Sequence, residues 1–283
     1  MAKKLIVNAD DFGRSAGVNR GIIEAHRRGI VTSASLMVTM AAAEEAFALA
    51  EGCPDLGVGV HLVFTAGRPI LPPERVATLV DEKGNFLARD LWLLRIGEVD
   101  LAQLKAELRA QIEYFVERRG RPTHLDCHHL VHVYPPLFAL IVELAAECGL
   151  PMRVPFGRNW EAMAAQDAGR FGLSPDSAKE MVRRDIELVR SSGVPHPDHF
   201  VAEFFGPGNI GVENLLDILA RLEDGVTELM THPGYADQEL RRSSRYVEER
   251  ERELASLTDP RVREAVEKLG IELVNYREVF VEE

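Results

Sequence analysis

The sequence predicts an α/β fold, a (β/α) barrel with about seven to eight parallel strands, and three observations carry that expectation. Short apolar runs rich in β-branched residues alternate with longer stretches of helical periodicity, the pattern of parallel strands joined by crossover helices. The length, 283 residues, is close to the roughly 250 residues of a single barrel of this kind. The unusual polar residues fall where the apolar runs end, the side on which barrel sites assemble, and no GxGxxG fingerprint favours an open doubly wound sheet.

The elements follow in order. Residues 4–7, Lys-Leu-Ile-Val, read as the first strand. Ser15 then caps a helix in which Val18, Ile22, Ile23 and His26 recur at helical spacing, and Gly29 ends it. Strands are expected at 31–39 and 56–63 with a helix at 41–51 between them. A helix at 101–119, a strand ending near His128 and a helix at 136–148 come next. Apolar runs put further strands at 152–154, 199–204, 228–231 and 271–276, with periodic helices at 177–190, 212–222 and 245–257. Residues 65–100 lack clear periodicity and contain Pro69, Pro72, Pro73 and Gly84, as expected of a loop insertion or lid. With no linker, repeat or low-complexity tract, residues 1–283 are expected to form a single catalytic barrel domain carrying that insertion.

Composition narrows the function. With 46% hydrophobic and 28% charged residues, the chain can bury a sizeable core and is not disordered. A net charge of −12 repels phosphate backbones, which argues against nucleic-acid binding. Cys53, Cys127 and Cys148 form no CxxC pair, so neither a disulfide framework nor a zinc ribbon is suggested, and a cytoplasmic location is expected. After Lys3-Lys4 only Leu5-Ile6-Val7 is apolar before Asn8, too short for a signal-peptide core, and no membrane association is expected.

Four segments carry candidate chemistry. Asp10 and Asp11 adjoin at the end of the first strand, where alternation points them in different directions: one can ligate a metal and the other act as base. The plainer reading is an acidic pair at a helix N-terminus. Residues 124–132 hold four of the nine histidines, His124, His128, His129 and His132. Imidazole is the commonest metal ligand, and His128, at the strand end, is the best candidate; at least two of the four are expected to be structural. His61 stands in the glycine-punctuated run Gly57-Val58-Gly59-Val60-His61-Leu62. A lone histidine there is more often structural, but the first, third and fourth strands of a barrel can bring Asp11, His61 and His128 to one rim as a facial metal site. His232, in Thr231-His232-Pro233-Gly234, is either a turn histidine or an acid or base aimed across that rim. Among weaker signals, the charge-dense residues 241–253 read as a solvated helix face. Residues 196–199, His-Pro-Asp-His, are a candidate polar site loop. Trp92 and Phe86 could stack on a sugar, although anchoring the insertion is the simpler role. No GxSxG elbow or Walker loop is present.

Together Asn8-Ala9-Asp10-Asp11-Phe12-Gly13, Gly59-Val60-His61-Leu62, the histidine run at 124–132 and Thr231-His232-Pro233-Gly234 resemble the YdjC-like carbohydrate deacetylases, the family that includes chitooligosaccharide deacetylase. The resemblance implies a distorted, TIM-barrel-like fold and metal-dependent hydrolysis of N-acetyl groups on small sugars. It implies Asp11, His61 and His128 as metal ligands, Asp10 as general base and His232 as acid. It also implies one divalent metal ion, magnesium (Mg2+) first, although two imidazoles and a carboxylate suit zinc (Zn2+). The sequence departs from the usual family pattern at Cys127, where Ser is common, and at Leu130, where His is common. The expected partner is a small N-acetylated sugar, with a homodimer open to the chain. Two rival readings are another metal-dependent barrel hydrolase, such as a phosphoesterase or cyclic amidase, and a non-catalytic sugar- or metal-binding protein.

Overall fold

The computed structural model describes residues 2–281 apart from 134, 159 and 172. It begins with β1 (Lys3–Phe12), buried from Leu5 onward as a parallel strand covered on both faces is. Its end lies five residues beyond the expected one, because Asn8, Asp10 and Asp11 are polar yet buried. α1 (Ala16–Arg28) starts at Ser15, whose side chain accepts the Val18 N–H, and stops at Gly29. The alternation continues through β2 (Ser33–Leu36), α2 (Ala43–Glu51), β3 (Gly57–Leu62), α3 (Arg89–Leu94), α4 (Leu101–Arg119), β4 (Leu125–Cys127), α5 (Pro135–Cys148), α6 (Trp160–Asp167) and α7 (Pro175–Ser192). It ends with β5 (His199–Val201), α8 (Val212–Ala220), β6 (Gly225–Thr231), α9 (Gln238–Ser243), α10 (Glu248–Leu257), α11 (Pro260–Lys268), β7 (Glu272–Leu273) and α12 (Tyr276–Phe280). The helices α3, α6, α9, α11 and α12 have no counterpart in the sequence expectation; each is ten residues or shorter, too short to show clear periodicity.

The strands form one parallel sheet in the order β4-β3-β2-β1-β6-β5. β6 runs along β1 from Lys3 to Ala9, while β7 pairs with Lys4 and Leu5 and β2 with Asn8, Ala9 and Phe12. β7 and β2 therefore share the second edge of β1 at different heights. Thr32 fills the joint, its hydroxyl donating to the Val274 carbonyl at 2.6 Å and accepting the Val7 N–H at 3.1 Å.

The sheet is curled into a half-barrel. β4 and β6 stand four steps apart in the strand order, roughly 19 Å in a flat sheet. Yet Asp126 of β4 and Glu228 of β6 both contact the Arg153 guanidinium, at 2.9 and 2.8 Å. Where a strand was expected at 152–154 there is only an isolated bridge from Met152 to Leu125. Pro151 and Pro155 flank that segment and remove two N–H donors, so a longer ladder does not form.

The segment at 65–100 is held to the body. Glu107 of α4 accepts the N–H groups of Ile70 and Leu71 at 2.9 Å each. Trp92 is fully buried against Phe64, with ring centroids 5.1 Å apart, and Phe86 is buried too. These two rings anchor the segment and are not available to stack on a sugar. No helix among the described residues is long and apolar enough to cross a membrane.

Candidate active site

The site lies at the C-terminal ends of β1, β3, β4 and β6, and its first element is an irregularity. Asp11 has φ +70°, and the β1–β2 register slips between Ala9 and Phe12. Simple alternation would send Asp10 and Asp11 to opposite sides; the bulge turns both towards the ring of His61. A left-handed non-glycine residue costs about 1 kcal/mol. His129 and Leu130, in the turn after β4, are the other non-glycine residues with positive φ among those described, at 64° and 51°. Backbone strain is thus concentrated at this rim.

Asp11, His61 and His128 meet there, all buried. Asp11 Oδ1 is 3.0 Å from His128 Nδ1 and 3.5 Å from His61 Nε2, and the two ring nitrogens are 3.3 Å apart. Donor atoms about 2.1 Å from one cation lie ~3.0 to 3.4 Å from each other, so this set fits a divalent ion. A second fact points the same way: Asp11 Oδ1 is buried and takes part in no hydrogen bond of proper geometry. Arg250 holds the other oxygen, Oδ2. Burial pushes the Asp11 carboxyl up, but Arg250 and His128 outweigh it and hold the group well below the carboxylate range.

His61 has a defined orientation. Its Nδ1 lies 2.8 Å from Asp126 Oδ1, so the carboxylate takes the proton-bearing nitrogen and leaves the Nε2 lone pair facing Asp11 and His128. Burial disfavours a charged ring, yet Asp126 more than offsets it and the His61 pKa is raised. A second cluster, Asp10, His61 and Asp126, also has ligand-like spacing. A cation already stands there: Arg153 bonds Asp10 at 2.6 and 2.7 Å, Asp126 at 2.9 Å and Glu228 at 2.8 Å. Burial raises the Asp10 pKa, and Arg153 reverses that, leaving it below its ordinary value.

His232 follows β6 and faces the site from the other side, its Nε2 3.8 Å from Asp10 Oδ2. Glu253 of α10 anchors it by accepting its backbone N–H at 2.6 Å, and Tyr246 donates to the same carboxylate at 2.5 Å. Burial brings the His232 pKa down to about 4 and pushes Glu253 up to about 7.

The remaining sequence candidates divide. His124 is structural: it stacks on Tyr276 at 3.9 Å and its Nδ1 pairs with the Thr123 hydroxyl at 3.0 Å. A Cβ on Gly59 would come within 2.4 Å of its ring, which explains the glycine in that strand. His129 packs on His128 and pairs with the Thr65 hydroxyl. The side chain of His132 lies outside the described residues. His196, Asp198 and His199 make local contacts at the N-terminal ends of β5 and β6, away from the site. Residues 241–253 are not simply a solvated face, for Arg250 and Glu253 are 2% and 0% exposed and reach Asp11 and His232. Sequence reasoning missed both, and missed Arg153, Asp126 and Glu228 as well. Their only signal was a charge inside an apolar run, as in Met152-Arg153-Val154 or Leu125-Asp126-Cys127.

Fold and site define a curled parallel α/β protein with an Asp-His-His set fitted to a cation, flanked by an arginine-held carboxylate and a histidine. The chain matches the model of the YdjC-like proteins over residues 4–268, and it belongs to that family. It is 37% identical over 281 residues to a carbohydrate deacetylase of Geobacillus stearothermophilus, with 99% of each chain covered. A chitooligosaccharide deacetylase of Yersinia enterocolitica is 38% identical over 281 residues, covering 98% of this chain and 99% of its own. A solved structure from Enterococcus faecalis, described as a candidate cellobiose-phosphate cleavage protein, superposes with a TM-score of 0.86 at 35% identity, covering 99% of this chain and 100% of that one.

Proposed function

We propose that this enzyme is a metal-dependent deacetylase that hydrolyses the N-acetyl group of small, chitooligosaccharide-like sugars to acetate and a free amino sugar, with the whole chain as one catalytic unit. The observation that carries the reading is the convergence of Asp11 Oδ1, His61 Nε2 and His128 Nδ1 within 3.0 to 3.5 Å, beside Asp10 and His232. The relatives named deacetylases support the reaction class.

When bound by Asp11, His61 and His128, a divalent ion supplies Lewis-acid polarisation of the acetyl carbonyl and acidifies the attacking water. Asp10 is the base. Arg153 aims it with two hydrogen bonds and keeps it ionised at neutral pH, while sharing its own charge with Asp126 and Glu228. An amide nitrogen leaves readily only when protonated, so an acid is required on the opposite side. His232 fills that role. Its pKa of about 4 makes it neutral at rest, so the proton it delivers is taken up during turnover from Asp10, which stands 3.8 Å away and must close to hydrogen-bond distance for the transfer. In sum, one proton leaves water for Asp10 and passes through His232 to the amine; the water oxygen joins the acetyl carbon and the C–N bond breaks.

The family resemblance points to magnesium and the two imidazoles to zinc; elemental analysis of purified protein decides between them. The three cysteines are free, in keeping with our reading of a cytoplasmic enzyme. The test is acetate release from N-acetylated mono- and disaccharides with and without chelator. Chelation should abolish it and metal should restore it. His128→Ala should lose both metal and activity while keeping its circular-dichroism spectrum. Undiminished turnover in metal-free protein would overturn the reading.

A further inference from the structure

We propose that Phe205 forms a stacking subsite for the pyranose ring that carries the departing amine, an inference that rests on the deacetylase reading. Phe205 sits in the loop after β5, on the same rim as the site, and is 43% exposed. Among the described residues it is the one Phe, Tyr or Trp side chain that is exposed. Its ring centroid lies 5.0 Å from that of His232 and 4.6 Å from that of Tyr246, with the Tyr246 plane only 23° away.

Exposure of so large an apolar ring is unfavourable, and a loose loop would fold it inward. This loop is braced instead. The Phe205 N–H donates to the Ala202 carbonyl at 3.0 Å, and Asn209 Nδ2 donates to the Phe205 carbonyl at 2.8 Å. The Gly206 N–H reaches the Tyr246 hydroxyl at 3.3 Å, and Arg252 bonds the carbonyls of Pro207 and Ile210. Tyr246 backs one side of the ring, and its hydroxyl also donates to Glu253, the residue that anchors His232. A fixed, outward-facing ring is therefore tied to the proton donor by a continuous set of contacts. The π face of such a ring is negative and attracts the C–H groups on one face of a pyranose. The departing nitrogen has to come within about 3 Å of His232, and the pyranose bonded directly to that nitrogen is the sugar ring nearest to Phe205.

The test measures binding of the N-acetylglucosamine disaccharide by titration calorimetry, with Asp10→Asn present to suppress turnover. Phe205→Ala should weaken binding by about five- to ten-fold with metal content and melting temperature unchanged, and Phe205→Tyr should restore it. With Asp10 intact, the same loss should appear in KM more than in kcat for the disaccharide. It should be absent for an acyclic N-acetylated amine, which has no ring to stack. Disaccharide binding unchanged in Phe205→Ala, equal losses on cyclic and acyclic substrates, or no disaccharide binding at all would each overturn the subsite. Binding that depends on Phe205 without any acetate release from the enzyme with Asp10 intact would instead sink the deacetylase reading and leave the subsite standing.

Discussion

Each of the adjacent carboxylates Asp10 and Asp11 is held by its own buried arginine, Arg153 and Arg250, so their replacements should differ in kind. Asp10→Asn keeps size and much of the hydrogen bonding; it should retain metal and lose ~10²-fold or more in kcat. Asp11→Asn should weaken metal binding, and saturating metal should recover part of its activity. Metal content measured beside kcat separates the two; equal metal loss in both would make Asp10 a ligand. His232→Ala should lower amide hydrolysis by roughly 10²-fold or more while sparing an activated acetate ester, whose leaving group needs no proton. Equal loss on both substrates would assign His232 to substrate positioning or oxyanion stabilisation.

At the scale of elements, the His232 turn is set by how closely α1 approaches it. A Cβ on Gly21 of α1 would lie 2.4 Å from Gly234 Cα, and no flexible side chain is there to yield. Gly21→Ala should therefore displace the 231–234 turn, costing about 1 to 3 kcal/mol and lowering both the melting temperature and kcat. A variant with wild-type stability and turnover would show that the turn tolerates the shift. The same dependence on packing explains the misreading of α10. Its charge-dense sequence suits a solvated face, yet Arg250 and Glu253, three residues apart, point inward because the site supplies Asp11 and His232 as partners.

Across the whole molecule, buried titratable groups set the acid limit of stability. His124 is fully buried against Tyr276, and burial lowers its pKa from 6.5 to about 4. Below pH 6.5 the unfolded chain takes up a proton that the folded one resists. Stability present above 6.5 is thus lost as pH falls towards 4. Asp10, Asp11 and Asp126, all with lowered pKa values, extend the loss to lower pH. His232, also lowered to about 4, adds to the loss in this window, while Glu253, raised to about 7, opposes it because the folded chain protonates it where the unfolded chain keeps it ionised. His124→Phe, which can keep the stack without a titrating nitrogen, should therefore lose less melting temperature than the wild type between pH 6.5 and 4; identical pH profiles for the two proteins would remove His124 as a contributor.

What was legible in the sequence was whatever local periodicity encodes. Alternating runs specified parallel strands and helices, and polar residues closing those runs marked one rim, so Asp11, His61 and His128 could be brought together before any contact was known. Three features depended on the tertiary structure. The bulge at Asp11 turns two neighbouring carboxylates to one side, contrary to simple alternation. Arg153 and Arg250 find their carboxylates 143 and 239 residues away, separations that no local pattern records. Trp92 is buried as the anchor that the sequence favoured, while Phe205, which no local pattern singled out, stands exposed beside His232. Periodicity states which face of an element is apolar; which charge is buried, and against what, is decided when the curled sheet brings distant strand ends together.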